Sequence, residues 1–165
     1  MARPDTQAKL RKELDRLTAL FAGAGAEQIN PDILQPADVL LDLYGEDIRA
    51  RAFVTRDDAG ELMLRPDFTV PVVQHHMKFG AEPARYTYAG KVWRRQEPGL
   101  LRAREYLQVG TEIFDRANPA EADAQVFALI HEALAGRGLA IAVGDLGLVR
   151  AAIDALETTD QRNDP

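Results

Sequence analysis

GKVWRRQEPGLLRAREYLQVGTEIF, Gly90 to Phe114, is the stretch whose reading decides the fold. Pro98-Gly99 marks a turn, and the residues on either side have strand character. Two antiparallel strands are therefore expected, Tyr86 to Arg94 and Arg104 to Phe114. Side chains of a strand alternate between its two faces. From Tyr106 onward the even positions are Tyr106, Gln108, Gly110 and Glu112, and the odd ones Leu107, Val109, Thr111 and Ile113. The odd face is apolar and is expected to pack on helices. The even face is polar, and Gly110 is expected to leave room above the sheet for a small ligand. Arg94 ends the first strand and is expected to project over the same face, with a planar fork suited to a carboxylate or phosphate. Glu112 is an acceptor suited to an ammonium or an imidazole N–H. Together they match the two ends of a zwitterionic amino acid; alternatively they pair with each other or face water.

Outward from this hairpin, Thr6 to Ala22 reads as a helix with Leu10, Leu14, Leu17 and Phe21 on one face, stopped by Gly23 and Gly25. Glu27 to Gly45 reads as an extended segment and then a short helix. Ala52-Phe53-Val54 and Leu62-Met63-Leu64 flank the turn Asp57-Asp58-Ala59-Gly60, a second hairpin that Pro66 ends. Thr69 to Lys78 is expected to be helical with Pro71 in its first turn. Asn118, Pro119 and Glu121 announce a helix that runs to about Ala135. Leu139 to Val143 reads as a short buried strand, and Asp145 as the cap of a last helix with Val149, Ile153 and Leu156 inward. Strand pairs joined by tight turns, with helices between them, indicate an α+β fold with an antiparallel-rich sheet. Residues 1–156 are expected to form one domain and residues 157–165 a polar, disordered tail.

The composition excludes several functions. There is no apolar run near the ~20 residues of a membrane span and no secretory segment near Met1. With no cysteine among 165 residues, disulfides, thiolate nucleophiles and cysteine-bound zinc are excluded. A net charge of −6 argues against a general nucleic-acid binder. His75 and His76 are adjacent and would point about 100° apart on a helix, so they are poorly placed to share a metal. They and His131 read as structural or surface residues, and Trp93 as core. No glycine-rich phosphate loop follows a strand and no nucleophile elbow occurs.

Several blocks, in order, resemble the catalytic core of class II aminoacyl-tRNA synthetases, specifically the histidyl-tRNA synthetase group. Pro31 lies where that group's first motif places a dimer-interface proline. Leu64-Arg65-Pro66-Asp67-Phe68-Thr69 resembles its Leu-Arg-Pro-Glu-Gly-Thr substrate block. Val92-Trp93-Arg94-Arg95-Gln96 resembles the start of motif two, and Arg102 to Glu112 its end. The resemblance implies a class II synthetase-like antiparallel sheet flanked by helices. It also implies that Arg94, Gln108, Glu112, Asp67 and Thr69 surround a histidine.

The departures matter as much. Gln96 stands where synthetases carry a glutamate that helps recognise adenine, and Leu101 replaces a glycine before the loop arginine. Asp67 is one methylene shorter than glutamate, and Phe68 fills the place of a glycine, which would block or reshape close ligand approach. Asp67-Phe68-Thr69 and Arg94-Arg95-Gln96 resemble what the group's non-synthetase branch, the regulatory subunits of ATP phosphoribosyltransferase, tends to show. Membership of that branch implies no catalytic residues, no cofactor and no metal. It implies a cytoplasmic protein that binds histidine, pairs with itself and joins the catalytic subunit of ATP phosphoribosyltransferase. The chain stops before motif three, so it is expected to be truncated, either a fragment or a natural short form. A histidyl-tRNA synthetase fragment and a ligand-free dimerising remnant are the competing expectations.

Overall fold

The central hairpin extends to the limit that its alternation allows. In the computed structural model, which describes residues 4–45, 47–97, 99, 102–142 and 144–156, strand β5 (Ala84–Trp93) pairs antiparallel with β6 (Glu105–Phe114) along all ten residues. Ala84 lies opposite Phe114, and Trp93 opposite Glu105. One more bond, from the Arg94 amide to the Arg104 carbonyl at 2.9 Å, continues the ladder toward the loop. Leu101, much of that loop and the tail 157–165 lie outside the described residues.

A strand of two residues, β1 (Glu27–Gln28), adds to β5 in parallel, giving a three-stranded sheet in the order β1-β5-β6. The second hairpin forms around the expected turn. In it β3 (Val54–Asp57) pairs antiparallel with β4 (Gly60–Leu64), and the Asp57 carboxylate accepts from the amides of Ala59 and Gly60. Its first strand begins at Val54 and not at Ala52, because a short helix occupies the preceding residues. Strand β2 (Leu34–Pro36) pairs on the other side of β4, in the order β2-β4-β3. Pro66 has no N–H to give a ladder, and β4 stops just before it.

The helices are α1 (Pro4–Gly23), α2 (Ala37–Tyr44), α3 (Asp47–Arg51), α4 (Thr69–Phe79), α5 (Pro119–Ala133) and α6 (Leu146–Asp154). Contacts divide the chain into a unit up to Ala133 and a smaller one from Leu134.

In the larger unit the two faces of the central hairpin are both used. On the odd face Val109 packs with Phe21, Leu17 and Leu20 of α1 and with Leu129 and Ala133 of α5, as the apolar alternation requires. The even face carries a larger core. Tyr86, Tyr88 and Val92 of β5 pack with Ile29 and with Phe68 and Val72 around the start of α4, and Tyr106 and Phe114 close the edges. A separate cluster of Ala37, Leu40, Ile48, Ala52, Met63 and Val70 joins the second sheet to α2 and α3. Trp93 is half-buried at the end of β5, where its indole N–H donates to Glu105 at 3.0 Å.

The smaller unit departs from the sequence-based expectation. Residues 139–142 form no strand, and Leu139 and Ile141 are more than half exposed. A short apolar run becomes a strand only when another strand satisfies its backbone, and these residues have none beside them among those described. Helix α6 starts as expected: Asp145 is extended and its carboxylate accepts from the Gly147 amide at 2.7 Å. Val149, Ile153 and Leu156 are exposed, however, and not inward.

Candidate functional site

Five residues picked out by sequence lie along the even face, from Glu112 near one end of the hairpin to Arg94 just past the other, delivered by three segments. Register sets the first pair. Tyr88 lies opposite Gly110 and Gly90 opposite Gln108, so Gln108 and Glu112 flank the ring of Tyr88 on one face. The third segment is the short connection from β4 into α4. There Asp67 accepts from the Thr69 amide at 3.1 Å, which fixes the turn into the helix. That turn points the Thr69 hydroxyl at Glu112, to which it donates at 3.1 Å. The Tyr88 hydroxyl donates to the same Glu112 oxygen at 3.3 Å, and the Gln108 side chain bonds that hydroxyl in turn.

Arg94 approaches from the far side. Its Nε–H donates to the Pro66 carbonyl at 2.8 Å, and its guanidinium lies 5.3 Å over the ring of Tyr106. The guanidinium is thus tethered one residue from Asp67 by a single N–H, and the group is half-buried. Neither simple expectation for Arg94 and Glu112 holds: among the described hydrogen bonds and ion pairs they do not join each other, and each is held by other groups.

The electrostatics follow from this crowding. Burial pushes the Glu112 carboxyl above the usual carboxylate range, and the Asp67 charge pushes the same way; the bonds from Thr69 and Tyr88 oppose them. Burial, then the Glu112 charge, pushes the Tyr88 phenol up to about 12. Two carboxylates, Asp67 and Glu112, lie close enough for their charges to act on each other, among the oxygens of Thr69, Tyr88 and Gln108. Such a place favours a positively charged group, and Arg94 beside it favours a negative one.

Two expectations need correction. The space over Gly110 is not empty: a Cβ there would lie 2.5 Å from the Tyr88 hydroxyl and 2.7 Å from the ring carbon bearing it, so the glycine accommodates a tyrosine of this chain. Phe68 does not project into open space either. It is fully buried, stacked on Tyr88 with ring centroids 4.4 Å apart and an 8° interplanar angle, and the Arg65 guanidinium covers its ring at 4.0 Å. Gly90 makes room for both, since a Cβ there would sit 2.7 Å from Arg65 and 3.0 Å from Phe68.

Tyr88 is the residue that sequence reasoning missed. Its place depends on the register, which sets Tyr88 opposite Gly110; counting back evenly from the Pro98-Gly99 turn would set it opposite Val109 instead. Gln96 is half-buried and its amide donates to the Ala103 carbonyl at 3.1 Å, which ties the two arms of the loop together. His76 is buried, bonded to the Tyr86 hydroxyl at 3.2 Å and stacked on Phe114 at 3.9 Å, and it stands as a core residue. A cleft of about 430 Å³ between α2 and the β3–β4 hairpin, lined by Asp38, Arg49 and Glu61 among others, contains none of the five residues.

Comparison with known proteins places the chain in a family. The chain is 40% identical over 146 residues to a protein of Mesorhizobium japonicum named ATP phosphoribosyltransferase regulatory subunit, a match covering 85% of this chain and 38% of that protein. The chain therefore spans well under half the length of the curated relatives it matches. Among solved structures, an ATP phosphoribosyltransferase regulatory subunit/histidyl-tRNA synthetase from Bacillus halodurans superposes with a TM-score of 0.77 at 27% identity, over 99% of this chain and 43% of that one. The apo histidyl-tRNA synthetase of S. aureus shares the fold at 23% identity, with a TM-score of 0.64 over 83% of this chain and 37% of that one. The profile described as Histidyl-tRNA synthetase matches residues 2–165, and the chain belongs to that family.

Proposed function

We propose that this chain is part of a regulatory subunit of ATP phosphoribosyltransferase, the enzyme of the first step of histidine biosynthesis. In that role it binds histidine as a feedback signal, performs no chemistry itself, and activates a short catalytic subunit in the cytoplasm. The observation that carries the proposal is the convergence of Asp67, Thr69, Gln108 and Glu112 beside Arg94. The carboxylate of histidine lies on the outer N–H groups of Arg94. Its ammonium lies near Asp67, Thr69 and Gln108, and Glu112 reaches the ammonium or the imidazole. A ligand bound between ~1 mM and ~1 μM needs about −4 to −8 kcal/mol. Three or four charge-assisted hydrogen bonds at ~1.5–3 kcal/mol each supply it.

Gln96 supports the regulatory role over the synthetase role. Its amide donates to the Ala103 carbonyl, which a glutamate carboxylate could not do. The side chain is thereby used to close the loop. The names of the curated relatives favour the same role. No helix among the described residues is long and apolar enough to cross a membrane, in keeping with a cytoplasmic setting. Association of the chain with itself through the Pro31 region belongs to the same proposal.

Calorimetry with L-histidine, on the protein assembled with a catalytic subunit, tests the site. Arg94→Ala and Glu112→Ala are each expected to weaken binding by about tenfold or more, since removing one partner of a buried charged contact costs ~2–5 kcal/mol. Unchanged affinity in both variants would rule the site out. Histidine should also bind less tightly when the catalytic subunit holds its substrates, because coupling between two sites is reciprocal. Histidine-dependent exchange of pyrophosphate into ATP by the protein would instead make it a synthetase.

A further inference from the structure

We infer that Tyr88 is a positioning residue of the ligand site: its hydroxyl holds the Glu112 carboxylate and the Gln108 side chain in place for a cationic ligand group. The inference rests on the site proposed above. Three observations place the ring. It lies directly across from Gly110, the one position of β6 where a side chain would collide with it. It stacks flat on Phe68, which is itself fully buried under Arg65. Its hydroxyl reaches Glu112 at 3.3 Å and is bonded by Gln108. Packing alone needs only the ring, and phenylalanine would supply it. The hydroxyl is the part that packing does not require, and it ends between two residues of the site.

Among the described residues, Asp67, Thr69 and Tyr88 act on the Glu112 carboxyl. Asp67 from the β4–α4 connection repels its charge, the Thr69 hydroxyl donates to it from the start of α4, and Tyr88 donates from β5. The Tyr88 bond works against burial and Asp67, both of which favour the protonated carboxyl. Without it Glu112 accepts its proton at higher pH. A protonated Glu112 no longer attracts an ammonium or imidazolium, so ligand binding would need a more alkaline solution.

The experiment compares the wild-type protein with Tyr88→Phe in the same assembly, which keeps the ring, the stack on Phe68 and the cover over Gly110. Two readouts are taken: histidine affinity by calorimetry across pH, and the titration of Glu112 followed by carbon-13 NMR of labelled glutamate, assigned with Glu112→Gln. Tyr88→Phe is expected to weaken histidine binding about tenfold near neutral pH, the loss of one hydrogen bond to a charged group. Its affinity profile and the Glu112 midpoint are both expected to move to higher pH. The titration of free histidine is the same for both proteins, so the difference between profiles belongs to the site. Unchanged affinity and an unchanged midpoint would reduce Tyr88 to a packing residue and overturn the inference. If wild-type protein binds no histidine yet the midpoint still moves, the positioning role stands and the choice of ligand falls. If neither binding nor a shift is seen, both fall.

Discussion

At the scale of single residues, Glu112 is held under tension by its surroundings. Its carboxyl is protonated more readily in the folded chain than in an unfolded one, first because it is buried and also because Asp67 lies near. The folded state therefore binds more protons than the unfolded state between the ordinary glutamate value and the raised one. Stability falls as pH rises through that interval. Below the interval both states carry the neutral acid and no penalty exists; above it the ligand-free fold bears the whole penalty. Glu112→Gln keeps an acceptor for Thr69 and Tyr88 and removes the charge. It is expected to raise the melting temperature of the ligand-free protein at neutral pH, with the gain shrinking to nothing below the ordinary carboxylate pKa of ~4.3. Thermal unfolding of both proteins across pH measures this directly, and a gain of equal size at every pH would remove the charge from the explanation. The same variant is expected to lose histidine binding. A group that destabilises the empty fold and serves the ligand is a common signature of a binding site.

At the scale of elements, the β5–β6 hairpin assembles the site, and its register is the decisive feature. Gly110 and Tyr88 form a matched pair across it, so Gly110→Ala is expected to push the tyrosine ring off its seat. The added Cβ meets the hydroxyl at 2.5 Å and two ring carbons within 2.9 Å, nearer than real contacts allow. The ring is pinned on its other side by Phe68 and cannot swing freely. Overpacking of this kind costs about 1–3 kcal/mol, and urea unfolding should register it together with weaker histidine binding. The odd–even alternation of β6 was enough to say which face meets α1 and α5, and Val109 packs there. The same alternation could name Gln108, Gly110 and Glu112 as neighbours. It could not say that Tyr88 fills the gap, because that depends on which residue of the other strand falls opposite. Strands β1 and β2 escaped notice for a related reason: two or three residues are too short to show a period, and their partners are distant in the chain. Leu139 to Ala142 shows the converse, an apolar run with strand composition and no strand.

At the scale of the larger unit, Arg65 joins the two sheets, a role its place in a ligand-block motif did not suggest. Its backbone amide donates to Ile33 beside β2, and its carbonyl accepts from the Trp93 amide at the end of β5, at 2.9 and 3.1 Å. Its guanidinium then binds two carbonyls at once, Lys91 on β5 at 3.0 Å and Pro31 just before β2. The side chain is buried, and burial lowers its pKa against the pull of Asp32, yet it stays charged because an arginine starts so far above neutrality. The planar fork is what lets one residue satisfy two acceptors in different elements while its face covers Phe68. A lysine keeps the charge and has one compact head. Arg65→Lys is therefore expected to leave one carbonyl without a donor and to uncover Phe68, at about 1–3 kcal/mol for the buried acceptor alone. Because the joint lies between sheets, the loss should be local as well as global. Hydrogen exchange at the Trp93 amide should accelerate more than exchange at amides in the middle of β5, such as Tyr88. Equal acceleration along the whole strand would mean that Arg65 contributes to general stability without joining the sheets. Retained protection at Trp93 with an unchanged urea midpoint would mean that the lysine replaces it fully.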